Sequence, residues 1–123
     1  MRQTINSYKD LKVWQQAIEL AVHCYRSTDG FPKGEAYGLT AQIRRAATSV
    51  AANIAEGHGR ESTASFIQFL RIAQGSLKEL ETHMIIAGRV DFLSGQQFQS
   101  LMEQCDEIGR MIRALIRSLQ ERT

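Results

Sequence analysis

Proline occurs once in this 123-residue chain, at Pro32, so no internal breaker interrupts the long segments that follow it. Cysteine occurs twice, at Cys24 and Cys105, each inside an apolar helical pattern. Neither belongs to a Cys-x-x-Cys pair, and two buried free thiols are expected rather than a disulfide. No apolar run approaches the roughly 18 residues that a membrane-spanning helix requires. The opening MRQTINSYKDLKVW has no apolar core of the signal-peptide kind. A cytoplasmic protein with no membrane role is the expectation. A strong charge of one sign is also missing: the formal net charge is +2, too small on its own to announce nucleic-acid binding.

What is present is helical periodicity. An apolar fraction of 43% in one domain, residues 1–123, is enough for a hydrophobic core. The spacing predicts an all-α, antiparallel, up-down-up-down four-helix bundle. A first helix starts near Tyr8, with Ser7 as cap and Asp10 completing a capping box, and ends near Ser27. Its stripe is Leu11, Trp14, Ile18, Ala21, Val22 and Tyr25. Phe31-Pro32-Lys33-Gly34 is a loop from which Phe31 tucks into the core. A second helix runs from Glu35, whose charge suits a helix N-terminus, to Gly57, with Leu39, Ile43, Ala46, Ala47, Val50 and Ile54 inward. Ser62 caps a third, reaching Gly88, with Phe66, Phe69, Leu70, Ala73, Leu77, Leu80 and Met84 inward. Ser94 and Gln97 open the fourth, whose stripe is the clearest: Phe98, Leu101, Met102, Cys105, Ile108, Ile112, Leu115, Ile116 and Leu119. All three connections are short, which favours antiparallel neighbours.

Two helices carry more apolar or small surface than one core needs. Ala41, Thr48, Ala52 and Ala55 form a second face on helix two, and Ile72 and Ile86 lie off the stripe of helix three. Small residues admit a partner helix closely, so these six are the candidate oligomer interface; the plainer alternative makes them flanks of a wide core stripe.

No enzyme is read here. Glu19 with His23, and Glu79 with His83, share helix faces at i,i+4, the spacing of ordinary solvated contacts rather than of a di-metal bundle, so no metal and no cofactor are expected. Gly57-x-Gly59 follows a helix, lacks the Gly-Lys-Ser/Thr ending of a phosphate loop, and reads as a left-handed cap on helix two. Glu56 stands where the helix dipole opposes it and needs a cation; Arg44, Arg45, Arg60 and Arg71 are the candidates. Arg44, Arg45, Asn53, Glu56, Gly57 and Arg60 are therefore grouped as a structural motif. Eleven of the fifteen basic residues are Arg. Arg110, Arg113 and Arg117 sit at i, i+3 and i+7 on helix four, with Arg122 beyond, and forked guanidinium donors in such a strip suit phosphate. The alternative is that these cations complement a helix C-terminus and pair with Glu103, Asp106 or Glu107.

The runs FPKGEAYGLTAQIRRAATSVAANIAEGHGR at 31–60 and FIQFLRIAQGSLKELE at 66–81, with the opening YKDLKVWQQAIEL, resemble a bacterial four-helix-bundle family encoded within intervening sequences of large-subunit rRNA genes. The likeness is most specific at Gln42-x-Arg44-Arg45-Ala46 and Asn53-Ile54-Ala55-Glu56-Gly57, and it departs after Gly88, where Arg89-Val90-Asp91-Phe92 replaces the family's Leu-Gly-Tyr type of turn. The resemblance implies a homopentamer, five bundles round a central channel, and no enzymatic activity. A related family, the accessory variability factor of diversity-generating retroelements, has a similar pentameric fold and binds a reverse transcriptase and nucleic acid through basic surface. The expected function is a ring-forming assembly protein whose partners are its own copies and RNA or a nucleic-acid-processing protein. The alternative is a protein-interaction scaffold with no nucleic-acid role.

Overall fold

The computed structural model describes residues 7–122. Four helices, α1 (Lys12–Thr28), α2 (Leu39–His58), α3 (Thr63–Arg89) and α4 (Gly95–Glu121), make up the chain together with two short 3-10 turns, Tyr8–Asp10 and Lys33–Glu35; there is no strand among the described residues. Sequence neighbours pack on one another and α4 closes back onto α1, the contact pattern of a four-helix bundle. All four helices contribute to one core.

The helix starts follow from their capping groups. Ser94 Oγ accepts from Gln97 N at 3.1 Å while Gln97 Oε1 accepts from Ser94 N at 3.0 Å, the reciprocal box expected for α4. Ser62 Oγ accepts from Ser65 N and opens α3. The other two starts lie later than the spacing predicts. Ser7 caps only the 3-10 turn, accepting from Lys9 N, and extended Leu11 separates that turn from α1. Glu35 does not begin α2. It lies in the preceding turn, and its carboxylate reaches forward to accept from Leu39 N at 3.1 Å, so its charge serves the helix from outside. At the far end of α3 the chain reverses at Asp91, φ 65°, where Phe92 N donates to Ala87 O and Asp91 N to Gly88 O. These two bonds satisfy carbonyls at the helix end. Phe92 then stacks against Phe31, ring centroids 5.4 Å apart, and Phe31 is buried as expected.

The stripes of α2 and α4 hold: Ile43, Val50, Leu101, Cys105 and Ile112 are buried, as are Leu77 and Leu80 of α3. Leu39 and Phe69 are only half-buried. On α1 the predicted face is rotated. The buried apolar residues are Val13, Ala17, Leu20 and Cys24, whereas Leu11, Trp14, Ile18 and Ala21 flank the core and Val22 and Tyr25 are exposed at 39% and 46%. Ala17, Leu20 and Cys24 are fully enclosed, while the larger Trp14, Ile18 and Tyr25 lie toward the margin.

Cys24 and Cys105 are free and buried. Burial pushes the Cys24 thiol up to about 12 from an ordinary value of 9.0. The Cys105 thiol is pushed up as well, by burial first and then by Glu81. A folded-state value above the unfolded one means stability complete below pH about 9 and falling as pH rises toward 12, because only the unfolded thiol ionises there. Neither thiol should react with a thiol reagent at mildly alkaline pH until denaturant is added. The alkaline loss of stability should be smaller in Cys24→Ala. Labelling of the native protein at the rate of the denatured one would contradict the burial.

Candidate functional site

The α2–α3 seam explains the grouped residues around Gly57. Ser49 Oγ and Ser76 Oγ meet at 2.8 Å across it, and Asn53 Nδ2 donates back to Ser49 O and Oγ at 2.9 and 3.0 Å. Gly57 is not a left-handed cap: among the described residues no glycine has positive φ, and α2 continues through it to His58. Its missing side chain is used for close approach. A Cβ there would lie 2.7 Å from Phe69 Cβ and 3.3 Å from Phe66 O. Glu56 takes Arg60 as its cation, Nη2 to Oε1 at 3.0 Å, and the Arg60 guanidinium also lies 4.8 Å from the Phe69 ring centroid. The pair is half exposed, so Glu56→Gln should change stability by no more than about 0.5 kcal/mol in denaturant titration. A loss above about 1 kcal/mol would mean that Glu56 has a further partner.

Arg44 serves the opposite end of the bundle. Its Nε donates to Thr28 Oγ1 at 2.9 Å, its Nη2 donates to Tyr25 O and pairs with Asp29, and the guanidinium stacks 4.6 Å from the Tyr25 ring. Thr28 Oγ1 in turn donates to Cys24 O. A fixed cation among the last carbonyls of α1 complements its dipole and ties α2 to it. Arg45 is exposed and, among the described residues, donates to Gln42.

The six candidate interface residues divide. Thr48 and Ala52 are exposed, while Ala41 and Ala55 are half-buried. Ile72 and Ile86 of α3 are exposed at 44% and 47% and lie fourteen residues apart, four turns along one edge. The sequence pattern missed the α1 half of this surface. Ile18, Ala21, Val22 and Tyr25 join Thr48 and Ala51 around an apolar groove of about 380 Å³. Val22 and Tyr25, expected in the core stripe of α1, face outward instead.

The basic strip of α4 also divides. Arg110 pairs with Glu107 at 2.7 Å, and Arg122 lies exposed just past the helix end. Arg113 and Arg117 instead line a surface groove of about 290 Å³ with Ile116 and Gln120, opposite Arg71 and Gln74 of α3. Arg71, which the sequence suggests as a partner for Glu56, lies at this groove instead. Of the two Glu–His pairs, His23 turns its Nδ1 to Gln104 of α4. The described residues contain no group of three His, Cys, Asp or Glu placed to hold a metal ion, and no helix among them long and apolar enough to cross a membrane.

A crystal structure described as a protein with unknown function from the S23 ribosomal protein family, from Bacteroides thetaiotaomicron VPI-5482, is similar to this chain, with a TM-score of 0.76 at 27% identity over 85% of this chain and 97% of that one. No curated protein matches. The model of the 23S rRNA-intervening sequence protein family matches residues 9–114, from the first 3-10 turn almost to the end of α4. With that match spanning nearly all of the bundle, the chain belongs to the 23S rRNA-intervening sequence protein family.

Proposed function

We propose that this chain is a non-enzymatic, ring-forming assembly protein of the cytoplasm, a homopentamer of four-helix bundles that works on RNA, directly or through an RNA-handling protein. The observation that carries the assembly is the apolar surface the single bundle leaves in water: the α1–α2 groove with Val22 and Tyr25 at its rim, the small-residue face at Thr48 and Ala52, and Ile72 and Ile86 on α3. Folded monomers rarely leave aromatic and β-branched residues of several helices uncovered without a partner to cover them. Copies of the same chain are the occupants favoured here, since the apolar groove and the small-residue face lie on one subunit and could meet in a repeated contact. The resemblance to the retroelement accessory factor favours the ring more than a nucleic-acid role, since this chain carries a net charge of only +2.

A protein scaffold with no nucleic-acid role is the second reading, and the net charge of +2 favours it. Immobilised RNA separates the two. Retention is expected at about 50 mM salt and a steep loss by about 200 mM, because phosphate contacts release counterions. Failure to be retained at the lower salt would give the function to the scaffold.

A further inference from the structure

Arg71, Arg113 and Arg117 bring three guanidinium groups from two helices to one groove, and none of the three has an ion pair or hydrogen bond among the described residues. Elsewhere on the bundle Arg44, Arg60 and Arg110 each have a carboxylate within 3.3 Å. Helix spacing puts Arg113 and Arg117 one turn apart on the same edge of α4, and α3 sets Arg71 across from them. Ile116, buried, lies between the helices at the groove, and the side-chain amide of Gln74 adds hydrogen-bonding groups to its lining. Like charges at i,i+4 on one helix repel each other, as at Arg113 and Arg117, and no carboxylate among the described residues pairs with any of the three. An incoming anion would offset them.

We infer that this groove is a phosphate-binding site, occupied by backbone phosphates of an RNA strand. The identity of the phosphate carrier rests on the RNA reading above; the site itself does not. Guanidinium forks match phosphate oxygens two at a time, and the two helices root the three side chains around one groove. Contacts of this kind carry no base information, so binding is indifferent to sequence. The site also replaces the α4 strip: Arg71 matters, although it lies on another helix, and Arg110 does not, because Glu107 already neutralises it.

The test measures binding of a short fluorescent oligouridylate by anisotropy, and of pyrophosphate by calorimetry, to the whole protein and to Arg71→Gln, Arg71→Gln/Arg113→Gln/Arg117→Gln and Arg110→Gln/Arg122→Gln. Gln keeps helix propensity, and removing like charges leaves the melting temperature unchanged or raises it, which separates loss of the site from loss of the fold. The triple variant should bind oligouridylate at least about tenfold more weakly near 50 mM salt, with its salt slope reduced by about 2, from three lost contacts on a single strand. Arg71→Gln alone should weaken binding, and Arg110→Gln/Arg122→Gln should not. Oligouridylate binding that ignores Arg71 overturns the groove and leaves the RNA reading standing. Arg71-dependent binding of pyrophosphate without oligouridylate keeps the phosphate site and removes RNA as its occupant. Binding of neither probe overturns both.

Discussion

Leu77→Ala is expected to destabilise the bundle by about 2–5 kcal/mol, the range for emptying a well-packed leucine site. Leu77 is 2% exposed on α3, and its Cδ2 would lie only 3.6 Å from a Cβ built on Gly109 of α4. The α3–α4 seam therefore closes directly on this side chain, with a bare glycine opposite. Neither helix can move in to fill the gap without disturbing the other buried leucines of the stripe, Leu70 and Leu80. Most of the cavity should persist, which places the cost toward the upper part of the range. Denaturant unfolding should show a lower midpoint with an unchanged slope. A change below about 0.5 kcal/mol is what surface positions give, and would remove Leu77 from the core.

Ala52→Glu has a larger expected effect on a different property. In the single subunit Ala52 is exposed on the outer face of α2, and Glu is nearly as good a helix former as Ala, so the bundle should fold with unchanged helicity. In an assembly that covers Thr48 and Ala52, each copy carries a carboxylate into a close helix contact. Burying an unpaired charge there costs several kcal/mol per site, repeated at every interface of a ring. Dissociation to folded monomers of 13.9 kDa is the expected outcome. An undisturbed oligomer would move the interface away from this face of α2.

The ease of reading each element follows from how one-sided its chemistry is. On α4 apolar residues recur on one face and charged ones fill the others, so the spacing alone picks out Leu101, Cys105, Ile108 and Ile112, all buried. On α1 apolar residues occupy most of the circumference: Val13, Trp14, Ala17, Ile18, Leu20, Ala21, Val22, Cys24 and Tyr25. Size was then a poor guide, since close packing draws Ala17 and Cys24 inward and sends Tyr25 to the rim. Gly57 shows the same gap between local and distant causes. A glycine near a helix end reads as a cap, and only the arrival of Phe66 and Phe69 from α3 reveals that it is there for close contact. The basic groove was half legible. Arg113 and Arg117 stand out by spacing, but Arg71 joins them only through the α3–α4 register, which projecting the outer edges of both helices would have suggested.

Under this proposal, copies of the same chain cover the apolar faces of α1, α2 and α3. Sedimentation equilibrium of the unmutated protein at micromolar concentrations tests it most directly. The account predicts a species of several times 13.9 kDa, close to five subunits, that persists on dilution through that range. A single species of 13.9 kDa at every concentration would contradict it.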